Sequence, residues 1–209
     1  MTDFVVKLGK QEAIMYSKKQ AATKNQFETA LLQLLAVKKF ETITVRDVTE
    51  AMHYDRSSFY RYYDDKYALL GTIEDQVIAD IQRHYRQVTD LNERAGVTVA
   101  QLTELLTVFD QPTMASRMAI LLGPNGDRLF EVKLTKLFST IFYESTEPTV
   151  KKTAGTALIE QYLANLFIQT IRYQTSPSRS LSTEELAQQL NDIYCRGFVT
   201  SLHRSHHEV

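Results

Sequence analysis

The sequence predicts an all-α protein, in which an N-terminal three-helix helix-turn-helix domain precedes a larger C-terminal helical domain. Only four prolines and seven glycines occur among the 209 residues, and strict alternation of apolar and polar residues is rare. Long windows instead repeat apolar residues at spacings of three and four, which is the signature of amphipathic helices. A chain with 44% hydrophobic residues at this length can bury one substantial core or two smaller ones.

The first predicted helix extends from about residue 17 to residue 37, and residues 1–16 either fray or continue it. Its apolar face holds Phe27, Ala30, Leu31, Leu34 and Leu35. The polar run KKFETI then ends the helix.

A short helix is predicted next, from about residue 45 to residue 51, because Thr44 is a good N-cap and Asp47 stands three residues later. Residues 52–54 form a turn, and Asp55 caps a second short helix that ends near residue 62. Asp64 or Asp65 caps a longer helix from about residue 66 to residue 90. The apolar face of this longer helix holds Tyr67, Leu70, Ile73, Val77 and Ile81.

Further helices are predicted at about residues 98–109, 112–122, 129–143, 149–173 and 183–202. Gly-Pro and Asn-Gly dipeptides indicate a loop at 123–127, and a second loop covers 175–182. We therefore predict an N-terminal extension at 1–16, a helix-turn-helix domain at 17–66, a larger helical domain at 67–203 and a flexible tail at 204–209.

Composition excludes several classes of protein. Cys195 is the only cysteine, which excludes an internal disulfide and a Cys-based zinc site. The N-terminus lacks the features of a signal peptide, and no segment approaches the roughly 18 apolar residues that a bilayer crossing needs. A soluble cytoplasmic protein without a membrane association is therefore expected. The formal net charge is −1, with a small excess of Lys and Arg in the first 70 residues, which is a weak electrostatic indication of DNA binding.

No metal, cofactor or catalytic site is predicted. His203, His206 and His207 belong to a polar terminus and are interpreted as flexible rather than as metal ligands. The segment Gly123–Gly126 lacks the preceding strand and the following Gly-Lys-Ser/Thr of a phosphate loop. Nucleophile-elbow and His-Glu-x-x-His motifs are also missing from the sequence, so an enzyme is not expected.

Residues 55–62 have the composition of a helix that reads DNA. Phe59 can anchor the helix on Leu31, Val45 and Val48. The outward-turned candidates for base edges are Arg56, Ser57 and Arg61, whereas Tyr60, Tyr62 and Lys66 can reach phosphates. An ordinary helical hairpin with a solvated charged face is the alternative interpretation of this pattern.

The whole stretch resembles the N-terminal domain of the TetR family of transcriptional regulators. The resemblance is carried by Thr44, Val45, Asp47, Val48, Ser58, Phe59, Tyr60, Tyr62, Tyr63, Asp65, Lys66 and Leu69. The helix and linker before it, FETALLQLLAVKKFETIT, are similar to the same family. The Asp-Lys-Tyr run at 65–67 and Arg56 look like a branch that includes regulators of dihydroxyacetone kinase operons.

Three positions depart from the family pattern. His53 stands where most members have Gly, which predicts a positive φ at this residue unless the turn is rebuilt. Asp55 replaces the usual Ser cap and brings a carboxylate near DNA, and Thr49 replaces a small Ala.

The resemblance implies a role for each matching residue. Base contacts would come from Arg46, Arg56, Ser57 and Arg61. Phosphate contacts would come from Thr44, Ser58, Tyr60, Tyr62 and Lys66.

For the C-terminal helices, the resemblance implies a homodimer interface and an effector pocket. The helices at 149–173 and 183–202 would pack against their copies and hold two readers on a palindromic operator, about one DNA turn apart. LLGPNGDRLF at 121–130 resembles a loop of one C-terminal subfamily. The pocket candidates, each of which could equally be plain core, are Tyr85, Phe109, Met114, Met118, Phe138, Phe142 and Tyr162.

The predicted function is that of a dimeric, sequence-specific, DNA-binding transcriptional regulator, a repressor controlled by a small-molecule effector. The alternative is a partner-binding coregulator that keeps the fold but has lost autonomous DNA binding, which His53 and Asp55 motivate.

Overall fold

A computed structural model describes the backbone of residues 2–88, 98–144 and 153–196, and the side chains of 15–88, 98–141 and 153–194. Those residues are helices, turns and loops, without a strand among them. The side chains of Phe142 and Cys195, the three histidines near the C-terminus and the predicted 204–209 tail lie outside the described residues. The all-α prediction is confirmed.

The helices occur close to their predicted places. In chain order they are α1 (Thr2–Leu35), a 3-10 turn (Phe40–Thr42), α2 (Val45–Ala51), α3 (Arg56–Tyr60), α4 (Lys66–Val88), α5 (Val99–Thr107), a second 3-10 turn (Val108–Asp110), α6 (Pro112–Leu121), α7 (Arg128–Glu144), α8 (Ala154–Gln174) and α9 (Thr183–Arg196). The first helix continues through most of residues 1–16.

The chain divides into two compact units, Met1–Glu74 and Asp75–Val209. In the N-terminal unit, Leu31, Val48 and Phe59 are fully buried. The rings of Phe27 and Phe59 meet edge to face with their centroids 5.4 Å apart, and Tyr63 lies 5.7 Å from Phe59. Edge-to-face geometry suits the aromatic quadrupole, so this cluster fixes the short α3 on α1.

In the C-terminal unit, α7 packs along α8, and α5 packs along α9. Phe138 and Phe167 join the first pair, with ring centroids 4.7 Å apart. Arg172 of α8 donates to Glu131 of α7 at 2.8 Å and to the Leu122 carbonyl.

The loop before α9 is tied to the rest of this unit through Asp110. Its carboxylate accepts from Gln174 at 3.0 Å, from Arg179 at 2.5 Å and from the Thr183 hydroxyl at 2.5 Å. Burial raises the pKa of Asp110, but these three hydrogen bonds outweigh it and the pKa lies below its ordinary value.

The first half of α8 turns apolar side chains outward. Leu158, Ile159 and Tyr162 are 47%, 58% and 63% exposed, whereas Phe167 and Ile171, further along, are buried. Leu129 and Val132 of α7 are also exposed. This helix, α8, therefore has an exposed apolar part around Leu158 and Tyr162 and a buried apolar part around Phe167.

Within the described ranges, none of the helices combines the length and the hydrophobicity that a bilayer crossing requires.

Candidate nucleic-acid interface

The start of α2 is held by a reciprocal capping box. The Asp47 amide donates to the Thr44 hydroxyl at 3.2 Å, and the Asp47 carboxylate accepts from the Thr44 amide at 2.7 Å. Lys38 adds an ion pair to the same carboxylate at 3.1 Å. Hydrogen bonds from the Thr44 backbone and side chain, with a smaller contribution from Lys38, lower the pKa of Asp47 to about 2. Thr44, a predicted phosphate contact, is exposed and already shares its hydroxyl with Asp47.

The turn after α2 contains His53 in the left-handed region, with φ of 55°. The His53 amide donates to the Glu50 carbonyl at 3.2 Å, and the Tyr54 amide donates to the Thr49 carbonyl at 2.9 Å. These bonds close the end of α2 around a position where glycine would adopt the positive φ at a lower conformational cost than histidine. The positive φ predicted from the sequence is confirmed.

The start of α3 depends on Asp55. One carboxylate oxygen accepts from the Ser58 amide and from the Ser57 hydroxyl, both at 2.7 Å. The hydrogen bond from Ser57 and then those from Ser58 lower the pKa of Asp55. Asp55 is therefore a working N-cap with its charge engaged by α3 itself, although it stands at the exposed edge of the unit.

The outer face of α3 carries exposed cations. Arg56 is exposed and forms no hydrogen bond or ion pair with any other described residue. Arg61 is also exposed, but one of its guanidinium nitrogens donates to the Ser58 hydroxyl at 2.8 Å. Tyr60 is 56% exposed. Arg56 is thus the cation of α3 that is available to a ligand without breaking an internal bond.

Two of the predicted contacts are less accessible. Ser58 is 6% exposed, so a phosphate could reach it only by displacing its neighbours. Tyr62 is half-buried, with its ring centroid 6.1 Å from that of Phe27. Their place in the motif matches the prediction, but their side chains contribute to packing and to the support of Arg61.

Arg46 projects from α2 on the solvent side. Its guanidinium pairs with Glu50 at 2.5 Å, and both side chains are more than half exposed. An exposed pair of this kind contributes little to stability, so Arg46 can exchange Glu50 for another acceptor at small cost.

Lys66, a predicted phosphate contact, is engaged within the N-terminal unit. Its ammonium donates to the carbonyls of Phe40, Glu41 and Ile43 at 2.9, 3.0 and 2.7 Å. The same nitrogen lies 4.7 Å from the centre of the Phe40 ring. An ammonium has three N–H donors, so none remains for a phosphate while Lys66 holds the linker between α1 and α2 to the start of α4.

The pocket candidates differ in burial. Phe109, Met118 and Phe138 are core residues with at most 1% exposure, and Met114 is 6% exposed. Tyr85 is half-buried, and Tyr162 lies on the outer face of α8. As predicted for their alternative role, most of these side chains build the core.

Several supporting residues were not predicted. Lys38 pairs with the α2 cap, the Tyr54 hydroxyl donates to Gln26 of α1 at 2.9 Å, and the Tyr63 hydroxyl donates to the buried Glu28 at 3.3 Å. Burial, together with the charge of Glu28, raises the pKa of Tyr63 and keeps its hydroxyl protonated. Each pair joins residues far apart in the chain, so local sequence patterns carry no signal of it.

Comparison with known proteins gives a consistent picture of the fold. The sequence matches no known family profile and no curated protein. A TetR transcriptional regulator from Streptococcus agalactiae is similar in structure, with a TM-score of 0.59 and 21% identity over 85% of this chain and 96% of that one. Thermus thermophilus FadR, a TetR-family transcriptional repressor in complex with lauroyl-CoA, has a TM-score of 0.50 and 18% identity over 84% of this chain and 94% of that one. The dihydroxyacetone kinase operon activator DhaS has a TM-score of 0.48 and 20% identity over 82% of this chain and 93% of that one. The chain has the TetR-like fold, an all-α architecture with an N-terminal helix-turn-helix and a larger C-terminal domain.

Proposed function

We propose that this protein, with its TetR-like fold, is a dimeric transcriptional regulator whose α2–α3 unit reads a palindromic DNA operator. The observation that carries the proposal is the outward set of Arg46 on α2, Arg56 on α3 and Arg61 directly after α3, while Val48 of α2 and Phe59 of α3 are buried in the unit. A rigid short helix with exposed guanidinium groups suits the major groove, where arginine reads guanine through O6 and N7.

The division of labour follows from accessibility. Arg56 is the first candidate for a guanine edge because it is exposed and unengaged, and Ser57, Arg46 and Arg61 follow because each must exchange an internal partner. Thr44, Tyr60 and Tyr62 are the candidates for phosphates. Lys66 and Ser58 are positioning residues in this proposal, since their polar atoms are engaged within the unit.

We place the dimer interface on α8, with the adjoining face of α7. A palindrome needs two readers held about one DNA turn apart, roughly 34–36 Å, and a second copy of the chain supplies the other reader. Leu158, Ile159 and Tyr162 present large apolar side chains on one exposed face, the composition expected of a surface that a protein partner covers. The sequence prediction paired α8 with α9, but the exposed apolar residues of α7 favour α7 as the second helix of a four-helix interface.

The regulator would be a repressor that a small molecule releases. FadR, which has a similar fold, was crystallised in complex with an acyl-CoA, and this supports a search for an effector in the C-terminal unit. Release requires that the effector binds a conformation in which the two readers no longer fit the operator.

The test is binding to the DNA upstream of the protein's own gene, measured by fluorescence anisotropy at several salt concentrations. We expect saturable binding that is at least a hundredfold tighter than binding to random DNA of equal length, with a steep dependence on salt. Equal affinity for both DNAs would contradict sequence-specific reading.

A second candidate function is that of a coregulator that reaches DNA through another protein. His53 in the left-handed region and the carboxylate of Asp55 beside Arg56 favour this candidate. His53 strains the turn between α2 and α3, and the negative charge of Asp55 would oppose the approach of DNA. Specific binding to the upstream DNA only after a partner protein is added would select this candidate.

A further inference from the structure

A cleft of about 290 Å³ lies in the C-terminal unit, between the second half of α4 and the start of α6. The α4 wall contributes Asp80, Arg83 and His84, and the α6 wall contributes Thr113, Met114 and Arg117. Its volume is close to the lower end of the range for small-ligand sites. The cleft therefore has room for a compact organic molecule and not for a long chain.

Positive charge exceeds negative charge around this cleft. Asp80 is the carboxylate among its lining residues, and it pairs with one nitrogen of Arg83 at 2.8 Å. Arg117 is half-buried and makes no hydrogen bond or ion pair within the described part of the chain. The lining thus carries two guanidinium groups and one carboxylate. The guanidinium of Arg117 has all its donors available for a ligand.

The remaining wall is ordered and partly polar. The His84 ring is fixed by a bond of 2.7 Å between its Nε2 and the Glu104 carbonyl, which requires the proton on Nε2. Gln111 and Thr113 line the cleft, so the N-terminus of α6 lies at it and the dipole of this helix adds to the positive field of the arginines. Val108 and Met114 supply an apolar surface beside the charged groups.

We propose that this cleft is the effector site and that its ligand is a compact anion, a carboxylate or a phosphate ester on a small apolar body. The proposal rests on the proposed function as a ligand-controlled regulator and gives the chemical class of the effector. Arg117 binds the anionic group, with Arg83 as the second cation. Met114 and Val108 contact the apolar body. A neutral or cationic molecule of the same size leaves Arg117 unpaired, so charge decides selectivity.

The first experiment measures binding by isothermal titration calorimetry with the full chain and with defined probes. Hexanoate and hexyl phosphate are the anionic probes, and hexanol and hexylamine are their neutral and cationic counterparts. We expect one or both anions to bind, with hexanol and hexylamine at least tenfold weaker. The ratio between hexanoate and hexyl phosphate distinguishes a carboxylate effector from a phosphate ester.

Two variants locate the site. Arg117→Gln should weaken the better anion by about tenfold or more, since a charged hydrogen-bonding partner is lost. Arg86→Gln is the control, because Arg86 is an exposed cation on the same α4 that does not line the cleft. Circular dichroism and thermal unfolding confirm that both variants fold.

Three results would overturn the inference: no binding of either anion, equal binding of hexanol, or equal losses in the two variants. Operator affinity without any probe is measured in parallel on the same samples, at constant ionic strength. Operator binding without anion binding refutes only the ligand class, whereas anion binding without operator binding refutes the proposed function and leaves the cleft as a binding site.

Discussion

The helix-turn-helix region and the α7–α8 pair differ in the kind of side chain that they expose. The N-terminal unit, which contains α2 and α3, buries Phe27 and Phe59 and turns arginines toward solvent. The α7–α8 pair buries Phe138 and Phe167 and still leaves Leu158, Ile159 and Tyr162 outside. Both have an aromatic interior, so the interior does not distinguish them. The difference lies in the outer residues, which suit a polyanion in one region and another protein surface in the other.

The largest expected effect comes from placing charge on the apolar outer face. Leu158→Glu combined with Ile159→Glu should convert the proposed dimer to a monomer, because two desolvated carboxylates per subunit would oppose association. Operator affinity should then fall by more than a hundredfold, since each half-site must be bound alone. Light scattering after size exclusion gives the mass.

Gln188→Glu is the matched control for this change. Gln188 is exposed on α9, outside the proposed α7–α8 interface, so this variant should keep the mass and the operator affinity of the unmodified protein. A double variant that stays dimeric would move the interface away from α8.

On the arginine-bearing face of the N-terminal unit, Arg56→Ala should cost about 1–3 kcal/mol in operator binding and relax the preference at one base position. The loss on random DNA should be smaller, because the base-specific hydrogen bonds are missing there. Competition anisotropy with operators changed one base at a time measures both quantities. Arg86→Ala, on α4, should leave the preference unchanged.

Some features of these regions could be predicted from sequence, and others could not. The caps at Thr44 and Asp55 and the positive φ of His53 were predictable, because a cap or a turn involves residues within three or four positions. The hydrogen bonds of Lys66 reach carbonyls 23 to 26 residues earlier in the chain, so a local sequence pattern could not predict them. Helical periodicity predicted a helix at 149–173, but a core and a protein interface have the same periodicity, so the exposure of Leu158 and Tyr162 was not predictable.

A substitution of Lys66 can distinguish a structural role in the N-terminal unit from a contact with DNA. Lys66→Met removes three hydrogen bonds to carbonyls and should lower the free energy of unfolding by about 1–3 kcal/mol, measured in urea. The salt dependence of operator binding should keep its slope, because no phosphate contact is lost. A slope reduced by about one unit would instead identify Lys66 as a phosphate contact.

The smallest effect expected is the dependence of stability on acid. The pKa of Asp47 is about 2 in the folded protein, below the value of roughly 3.9 for an unfolded chain. Its contribution to stability is therefore complete above about pH 4 and is lost as the pH falls toward 2. Asp47→Asn should be less stable than the unmodified protein at pH 6.

The same variant should lose less stability between pH 6 and pH 3, because it lacks the titrating group. Urea midpoints at the two values test this. Parallel losses in both proteins would show that Asp47 does not contribute, and Asp110, whose pKa is also lowered, would then be the next residue to test in the same way.

The brevity of α2 and α3, with seven and five residues, has a consequence for cooperativity. Helices of this length are unstable by themselves, because the first turn costs more conformational entropy than its hydrogen bond returns. Each persists only through its cap and its packing in the N-terminal unit, α2 through the buried Val48 and α3 through the buried Phe59, so neither helix opens alone. Amide hydrogen exchange should therefore report one common opening free energy for α2, α3 and the ring-bearing part of α1. The proposed DNA reader is in this sense a single folding unit that is either complete or absent.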